Sequence, residues 1–140
     1  MIVALLEPSR ILLDDPVRPS IPADCRISFW GTVYMHIDDD DRTVGAVLCA
    51  VQMNFIPTSE AQLFLPDFTP TPRISVLYSI WSYKKGAGSK LVREYLNRNR
   101  SALTKRIVTM SPKTTMARDF HLRNGAKVLQ ENEETVNYEY

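Results

Sequence analysis

Residues 82–95, SYKKGAGSKLVREY, combine the residue types of a phosphate-binding turn. Gly86 and Gly88 separate a predicted strand from an amphipathic stretch, and three lysines surround them: Lys84, Lys85 and Lys90. Backbone N–H groups of a glycine turn can approach a phosphate closely, and the N-terminus of a following helix carries about half a unit of positive partial charge. The segment indicates either an anion site or a tight strand-to-helix bend with a solvated basic face.

Two common nucleotide motifs do not fit this segment. A P-loop requires Gly-x4-Gly-Lys-Ser/Thr, but here Lys90 is followed by Leu91. A dinucleotide fingerprint requires a third glycine at position 91, and the acidic residue expected some 20 positions later in a parallel sheet is also absent from the sequence. An anion bound at this turn would therefore belong to another class of site.

The charge of the chain is unevenly distributed. Residues 1–73 carry 5 Lys/Arg and 10 Asp/Glu, residues 84–127 carry 12 and 2, and residues 128–140 carry 0 and 4. A basic segment that begins at the glycine turn favours an anionic ligand, either a phosphorylated cofactor or a nucleic acid. The basic segment has no interleaved exposed aromatic residues and no known nucleic-acid motif, which argues against a nucleic acid as the ligand.

Length and composition predict one globular domain over residues 1–140. The longest apolar run is too short to span a membrane, and MIVALLEPSR lacks the basic start and cleavage site of a signal peptide. Cys25 and Cys49 have no metal-ligand spacing and are too few for a disulfide framework. We therefore expect a cytoplasmic protein without a metal site or a membrane partner.

Periodicity predicts the elements that must position the glycine turn. In the predicted strand 74–81, Ile74, Val76, Tyr78 and Ile80 share one face. The stretch after the glycines has a helical apolar stripe, and a second helix spans 113–124, where Gly125 ends it. Residues 7–23 are expected to form an irregular connection, and the other predicted strands are 2–6, 32–37, 44–55, 106–110, 126–130 and 135–140. The order predicts an α+β fold, a mixed, mostly antiparallel central sheet flanked by helices.

Two ordered segments resemble the GNAT N-acetyltransferase family. The strand ISVLYSIW, the pattern Tyr83-x-x-Gly86-x-Gly88 and the following helix resemble its acetyl-CoA motif, usually Gln/Arg-x-x-Gly-x-Gly/Ala. RIVTMSPKTTMARDFHLRNGAKV resembles the next strand and helix, in a frame filled by Ala117, Phe120, Arg123, Gly125 and Ala126. The resemblance covers residues 30–140 and is nearest to small phage-type members.

The resemblance implies acetyl transfer from acetyl-CoA to a primary amine by direct attack. In the family, the strand before the turn separates from its neighbour and its backbone holds the pantetheine arm; the matching residues are 77–81, including Tyr78 and Ile80. The 3′-phosphate would be held by Arg118 or Arg123. The pyrophosphate would be held by the turn that comprises Lys84, Lys85, Gly86, Ala87, Gly88, Ser89 and Lys90.

The resemblance also suggests catalytic residues. His121 stands where the family often has the tyrosine that protonates the thiolate, and it is either that acid or a helix-surface residue. Ser79, or Tyr78, could hold a water for the amine proton. Glu60 and Asp67 are loop carboxylates that are either near the acceptor or solvated.

Several departures from the family pattern leave alternatives open. Tyr83 replaces Gln/Arg, Thr114 replaces Asn, and the strand 74–81 has no carboxylate. The alternatives are a catalytically weak or inactive relative with a structural role and a basic nucleic-acid-binding module. The acceptor class, a small molecule or a protein amine, stays open, as does a homodimer through the C-terminal strands.

Overall fold

The computed structural model describes residues 1–65, 71–100 and 105–140, without the side chain of Arg100. Within these residues, eight strands form one sheet in the order β1-β2-β3-β4-β5-β8-β6, and β7 pairs with β8. The strands are β1 Ile2–Leu5, β2 Gly31–Ile37, β3 Val44–Met53, β4 Ile74–Ser82, β5 Arg106–Thr109, β6 Ser111–Pro112, β7 Lys127–Glu131 and β8 Thr135–Glu139. The helices are α1 Ala23–Arg26, α2 Ala87–Arg100 and α3 Thr115–Arg123, with 3₁₀ turns at Arg10–Asp14 and Glu60–Gln62.

The predicted fold class is confirmed. The β4–β5 pair is parallel and the other strand pairs among the described residues are antiparallel. The second predicted helix begins two residues late because Thr114 is its N-cap, with Oγ1 accepting the Ala117 N–H at 3.2 Å. Gly125 follows this helix with φ of 100°, a conformation that favours glycine. None of the helices that the structure describes is long and apolar enough to cross a membrane.

Helix α2 covers one face of the sheet through the predicted apolar stripe. Its buried apolar residues are Ala87, Leu91, Val92, Tyr95 and Leu96, and they pack with Ala46, Leu48, Ala50 and Leu77. The two alanines of β3 let the helix approach the sheet closely, and each large aliphatic side chain buried there contributes about 1.5–3 kcal/mol. This packing fixes the position of α2, and with it the first helical turn that directly follows Gly86.

A β-bulge in β4 changes the face on which its later side chains lie. Cys49 of β3 lies opposite Ser79 and Ala50 lies opposite Leu77, so Tyr78 is an additional residue in β4. Tyr78 packs in the core on the face away from α2, whereas Ile80 packs toward α2. The prediction that Ile80 shares a face with Tyr78 is therefore wrong, because strict alternation does not anticipate a bulge.

Strand β4 separates from β5 halfway along its length. The parallel register runs from Ile74 opposite Arg106 to Leu77 opposite Thr109, and the last bond joins the Met110 N–H to the Leu77 carbonyl at 3.0 Å. Beyond this point β4 continues to Ser82, but the segment that follows β5 enters β6, which pairs with β8. The second half of β4 therefore has an open edge among the described residues.

Side chains satisfy the backbone of β5 where this separation occurs, and Asn137 does so on the side that faces β8. Its fully buried side chain donates hydrogen bonds to the Thr109 carbonyl at 2.8 Å and to the Pro57 carbonyl at 2.9 Å. Thr109 Oγ1 accepts the Tyr138 N–H at 3.1 Å. These bonds satisfy the end of β5 on the side that faces β8. On the side that faces β4, the Met110 carbonyl accepts a hydrogen bond from Arg18 Nη2 at 3.1 Å, so it does not require further pairing with β4.

A buried ion pair organises the irregular connection between β1 and β2. Arg26 and Asp15, whose side chains are 1% and 0% exposed, form a 2.6 Å salt bridge. Arg26 also donates to the carbonyls of Ile21 and Arg18, and Asp15 accepts the N–H groups of Val17 and Arg18. The connection is irregular, as predicted, but these bonds hold it against the sheet as a fixed layer.

Breaking this ion pair should destabilise the protein severely. Asp15→Ala leaves the Arg26 charge buried without a partner, so we expect a loss of about 3–5 kcal/mol in the free energy of unfolding, measured with urea. The double substitution Asp15→Leu with Arg26→Met removes both charges and should restore part of this loss, because the backbone groups that the two side chains bind still lose their partners. Glu139→Gln, which breaks the exposed pair with Arg106, is the control and should cost less than about 1 kcal/mol. Equal effects of the buried and exposed substitutions would contradict the assignment.

Candidate functional site

The open edge of β4 forms one wall of a cavity of about 410 Å³. The opposite wall consists of β6 and α3, and the connection that contains Pro16 and Val17 closes one end. The lining residues are Pro16, Val17, Leu77, Tyr78, Ser79, Ile80, Trp81, Ser82, Ser111, Pro112, Thr114, Met116, Ala117, Phe120 and His121. The described lining is largely apolar and contains several hydroxyl groups and one imidazole.

His121 is a buried wall residue of this cavity rather than a surface residue of α3. It is 6% exposed, its ring stacks on Tyr138 at 5.2 Å between centroids, and its Nδ1 lies 2.7 Å from the Tyr140 hydroxyl. Burial lowers the pKa of His121 to about 4 and raises the pKa of Tyr140. The imidazole is therefore neutral at neutral pH and can serve there as a hydrogen-bond donor or acceptor.

Ser79 and Tyr78 contribute hydroxyl groups at the bulge. Both residues are 2% exposed, and neither Ser79 Oγ nor Tyr78 Oη has a hydrogen-bond partner within normal distance. The Tyr78 hydroxyl is directed toward the Cys49 thiol in the core, and burial raises the pKa of Tyr78. Ser79 thus carries a buried polar atom in the cavity wall that has no protein partner.

The glycine turn continues from the open edge into α2. Gly86 has φ of 80°, a conformation that favours glycine, and no atom lies within 4 Å of the position of a Cβ there. A Cβ on Gly88 would approach Ser82 Oγ to 2.6 Å and Phe120 to 3.4 Å, so this glycine permits close packing. The N–H groups of Gly88 and Ser89 have no main-chain acceptor preceding the helix, whereas Ala87 donates to the Lys84 carbonyl.

The lysines around the turn have different environments. Lys84 is bound to Asp41 and lies 3.4 Å from Asp38, both in the β2–β3 hairpin turn, and these partners raise its pKa. Lys84 therefore ties the glycine turn to the acidic hairpin tip. Lys85 and Lys90 are exposed, whereas Ala87, the first residue of α2, is buried.

Tyr83 connects the turn to the N-terminal connection. Its hydroxyl accepts the Trp81 indole N–H at 3.0 Å and donates to Asp14 at 2.5 Å. These bonds hold the 3₁₀ turn beside the end of β4. The residue that departs from the family pattern therefore has a structural contact in this chain.

The other predicted residues lie around the cavity or away from it. Arg123 stacks on Phe120 at 5.8 Å, next to the cavity wall, and Arg118 is exposed on the same helix. Glu60 pairs with Arg18 at 3.8 Å. Asp67 lies outside the described residues.

The sequence did not point to two parts of the site. Pro16 and Val17 close the cavity, although their connection has no periodic pattern. Tyr140 bonds to His121 although it lies 19 residues later in the sequence. The one feature of the sequence that could have indicated this contact is the pair of tyrosines at the end of the chain.

The low pKa of His121 predicts a pH-dependent stability. The unfolded chain regains a pKa near 6.5, so below that pH the unfolded state binds a proton that the folded state excludes. The contribution of the neutral His121 to the free energy of unfolding is complete above about pH 6.5. It is lost as the pH falls toward 4, and the whole loss is about 3 kcal/mol. Urea unfolding across this range should show a steeper decline for the wild type than for His121→Gln. His36→Gln is the control and should keep the steep decline; identical profiles for wild type and His121→Gln would refute the assignment.

No protein-family model matches the sequence, and no curated protein matches it. Solved structures do match. A malonyl-CoA decarboxylase from Cupriavidus metallidurans is 14% identical with a TM-score of 0.69, and the match covers 100% of this chain and 60% of that one. An acetyltransferase from Bacillus subtilis in complex with CoA is 13% identical with a TM-score of 0.70, over 99% of this chain and 95% of that one.

A third structure comes from Desulfovibrio desulfuricans and is assigned as an acetyltransferase of the GNAT family. It is 16% identical with a TM-score of 0.52, over 78% of this chain and 67% of that one. Identities this low show a shared fold alone, and the chain spans 60% of the decarboxylase. The likeness to small phage-type members stays a prediction. The chain has the fold of the GNAT acetyltransferases.

Proposed function

We propose that this chain binds acetyl-CoA and transfers the acetyl group directly to a primary amine. The observation that carries the proposal is the open edge of β4, which lines a cavity and leads into a glycine turn with free N–H groups. A pantetheine arm is an extended chain with amide groups, and an unpaired strand edge offers complementary main-chain groups. The pyrophosphate would then meet the N–H groups of Gly88 and Ser89 at the start of α2.

Each cofactor-binding residue has a specific part in this proposal. Tyr78, Ile80 and their neighbours would bind through the backbone, and Gly86 leaves room for a phosphate. Lys85 and Lys90 supply positive charge, with Arg123 at the far wall for the 3′-phosphate. Lys84 would act indirectly, because its ammonium group is paired with Asp41.

The transfer forms a C–N bond between the amine and the acyl carbon while the C–S bond breaks. The electron pair of that bond passes to sulfur, and the amine proton leaves to water. A neutral His121 can donate a hydrogen bond to the departing sulfur without giving up its proton. Ser79, whose buried hydroxyl has no protein partner, would hold the water that receives the amine proton once its side chain turned toward the cavity.

The structural relatives support the donor assignment. The Bacillus subtilis acetyltransferase has CoA bound, and the Cupriavidus protein is a malonyl-CoA decarboxylase, so two related folds are associated with CoA or its thioesters. The acceptor, a small molecule or a protein amine, is the part of the proposal that rests on the family resemblance.

Two alternatives carry different weight. An inactive relative is favoured by one observation, since no carboxylate lines the cavity within the described ranges. A nucleic-acid-binding module is disfavoured because two of the basic side chains after the turn have partners in the protein. Arg106 forms two hydrogen bonds with Glu139, and the Arg98 guanidinium lies 5.5 Å from the Tyr34 ring centroid.

Thermal unfolding with acetyl-CoA tests the binding site. A ligand at 100 times its Kd should stabilise the folded protein by about 2.7 kcal/mol and raise Tm by several degrees. Gly86→Glu should abolish this shift, because a carboxylate would occupy and repel the phosphate position. Gly125→Glu is the matched control, because Gly125 also has a positive φ and open space around its Cβ position, and it should keep the shift.

Two results would count against the proposal. The absence of a shift at millimolar acetyl-CoA would reject the cofactor, and a shift that persists in Gly86→Glu would reject the location. Release of free thiol with a panel of primary amines would then separate an active enzyme from a relative that binds without turnover.

A further inference from the structure

We propose that Tyr140 is a positioning residue that holds His121 in the tautomer with its proton on Nε2, so that an N–H donor faces the cleft. The role in catalysis rests on the proposed function. The tautomer itself depends on the folded protein alone, so the two can be tested separately.

The contacts of the two side chains support this assignment. Tyr140 is anchored by its main chain, whose N–H donates to the Ile107 carbonyl at 3.0 Å. From this anchored position its hydroxyl lies 2.7 Å from His121 Nδ1. Phe120, Tyr138 and Tyr140 surround the imidazole, with ring centroids 5.2, 5.2 and 5.8 Å away. The ring is therefore held on several sides, and Nδ1 is occupied by a single partner.

The chemistry of the pair indicates which atom donates. Burial keeps both groups neutral, since it lowers the pKa of His121 to about 4 and raises the pKa of Tyr140. A phenol is a better hydrogen-bond donor than a neutral imidazole N–H, and an imidazole nitrogen is a better acceptor than a phenol oxygen. The hydroxyl of Tyr140 therefore donates to Nδ1, and the single ring proton lies on Nε2.

The charged groups around this cluster do not oppose the assignment. Arg118, Asp119 and Glu131 act on Tyr138, which lies against one face of the imidazole, and Arg123 stacks on Phe120. The pKa of His121 is lowered by burial. The neutral form thus depends on the aromatic surroundings and on the hydrogen bond from Tyr140.

The consequence concerns the leaving group. His121 lines the cavity and Nδ1 is occupied, so Nε2 is the ring nitrogen left for a ligand. An N–H donor held there stabilises negative charge as it develops on sulfur, and a fixed donor need not reorganise during the reaction. With the opposite tautomer, a lone pair would face the sulfur and repel that charge.

Nitrogen NMR of the imidazole rings tests the tautomer directly. The chain has two histidines, His36 and His121, so His121→Gln assigns the signals of a ¹⁵N-histidine sample. We expect a protonated Nε2 and an unprotonated Nδ1 for His121 at neutral pH. Tyr140→Phe removes the hydroxyl but keeps the ring, and it should give a mixture of tautomers with a higher titration midpoint.

Tyr138→Phe is the matched control, because Tyr138 stacks on the same imidazole without bonding to its nitrogens. Its spectrum should match the wild type. A proton on Nδ1 in the wild-type protein, or an unchanged spectrum in Tyr140→Phe, would overturn the proposal.

Kinetics test the catalytic consequence. Tyr140→Phe should lower kcat by roughly 10- to 100-fold with little change in KM, because the donor is misplaced while binding groups remain. Tyr138→Phe should keep most of the rate. Equal rates for the two variants would reject the positioning role and leave acetyl transfer intact. If the wild type shows no turnover, the proposed function fails, and the spectra alone decide whether Tyr140 sets the tautomer.

Discussion

The separation of β4 from β5 is the constraint on which the site depends. Strand β4 pairs with β3 from Ile74 to Ser82 but with β5 only as far as Leu77. Arg18 makes this separation stable, because its guanidinium donates at 3.1 Å to the carbonyl of Met110, the residue that makes the last bond to β4. The free half of β4 is thereby available to a ligand without leaving β5 with an unpaired buried group.

The N-terminal layer completes the cavity from the other side. Its shape depends on the Asp15–Arg26 pair, since both side chains also bind the backbone of the connection. Tyr83 then joins this layer to the end of β4 through Asp14. A ligand in the cavity would thus contact an irregular segment whose position is fixed by buried polar bonds, which favours a preorganised cleft.

Local sequence patterns were sufficient for the longer elements but not for the short α1 and β6 or for long-range contacts. The sequence predicted the strands other than the two-residue β6, the apolar stripe located α2, and Gly125 marked the end of α3, whereas the N-cap Thr114 emerged from the structure. The bulge at Tyr78 depends on the register with β3, and no pattern within β4 encodes it. Lys84 could be counted as a basic residue beside a turn, but its pairing with Asp41 requires the hairpin to fold beside it.

The burial of His121 in the cleft also determines its protonation state. Aromatic rings around His121 exclude water, so the imidazole stays neutral and can orient or donate a hydrogen bond but has little capacity to hold an extra proton. No carboxylate lines the part of the cavity that the structure describes. Direct attack would then draw on acceptor molecules that are already neutral. The rate would depend on the fraction of neutral amine and on how well the cleft positions the thioester, since proton transfer to a side chain contributes little.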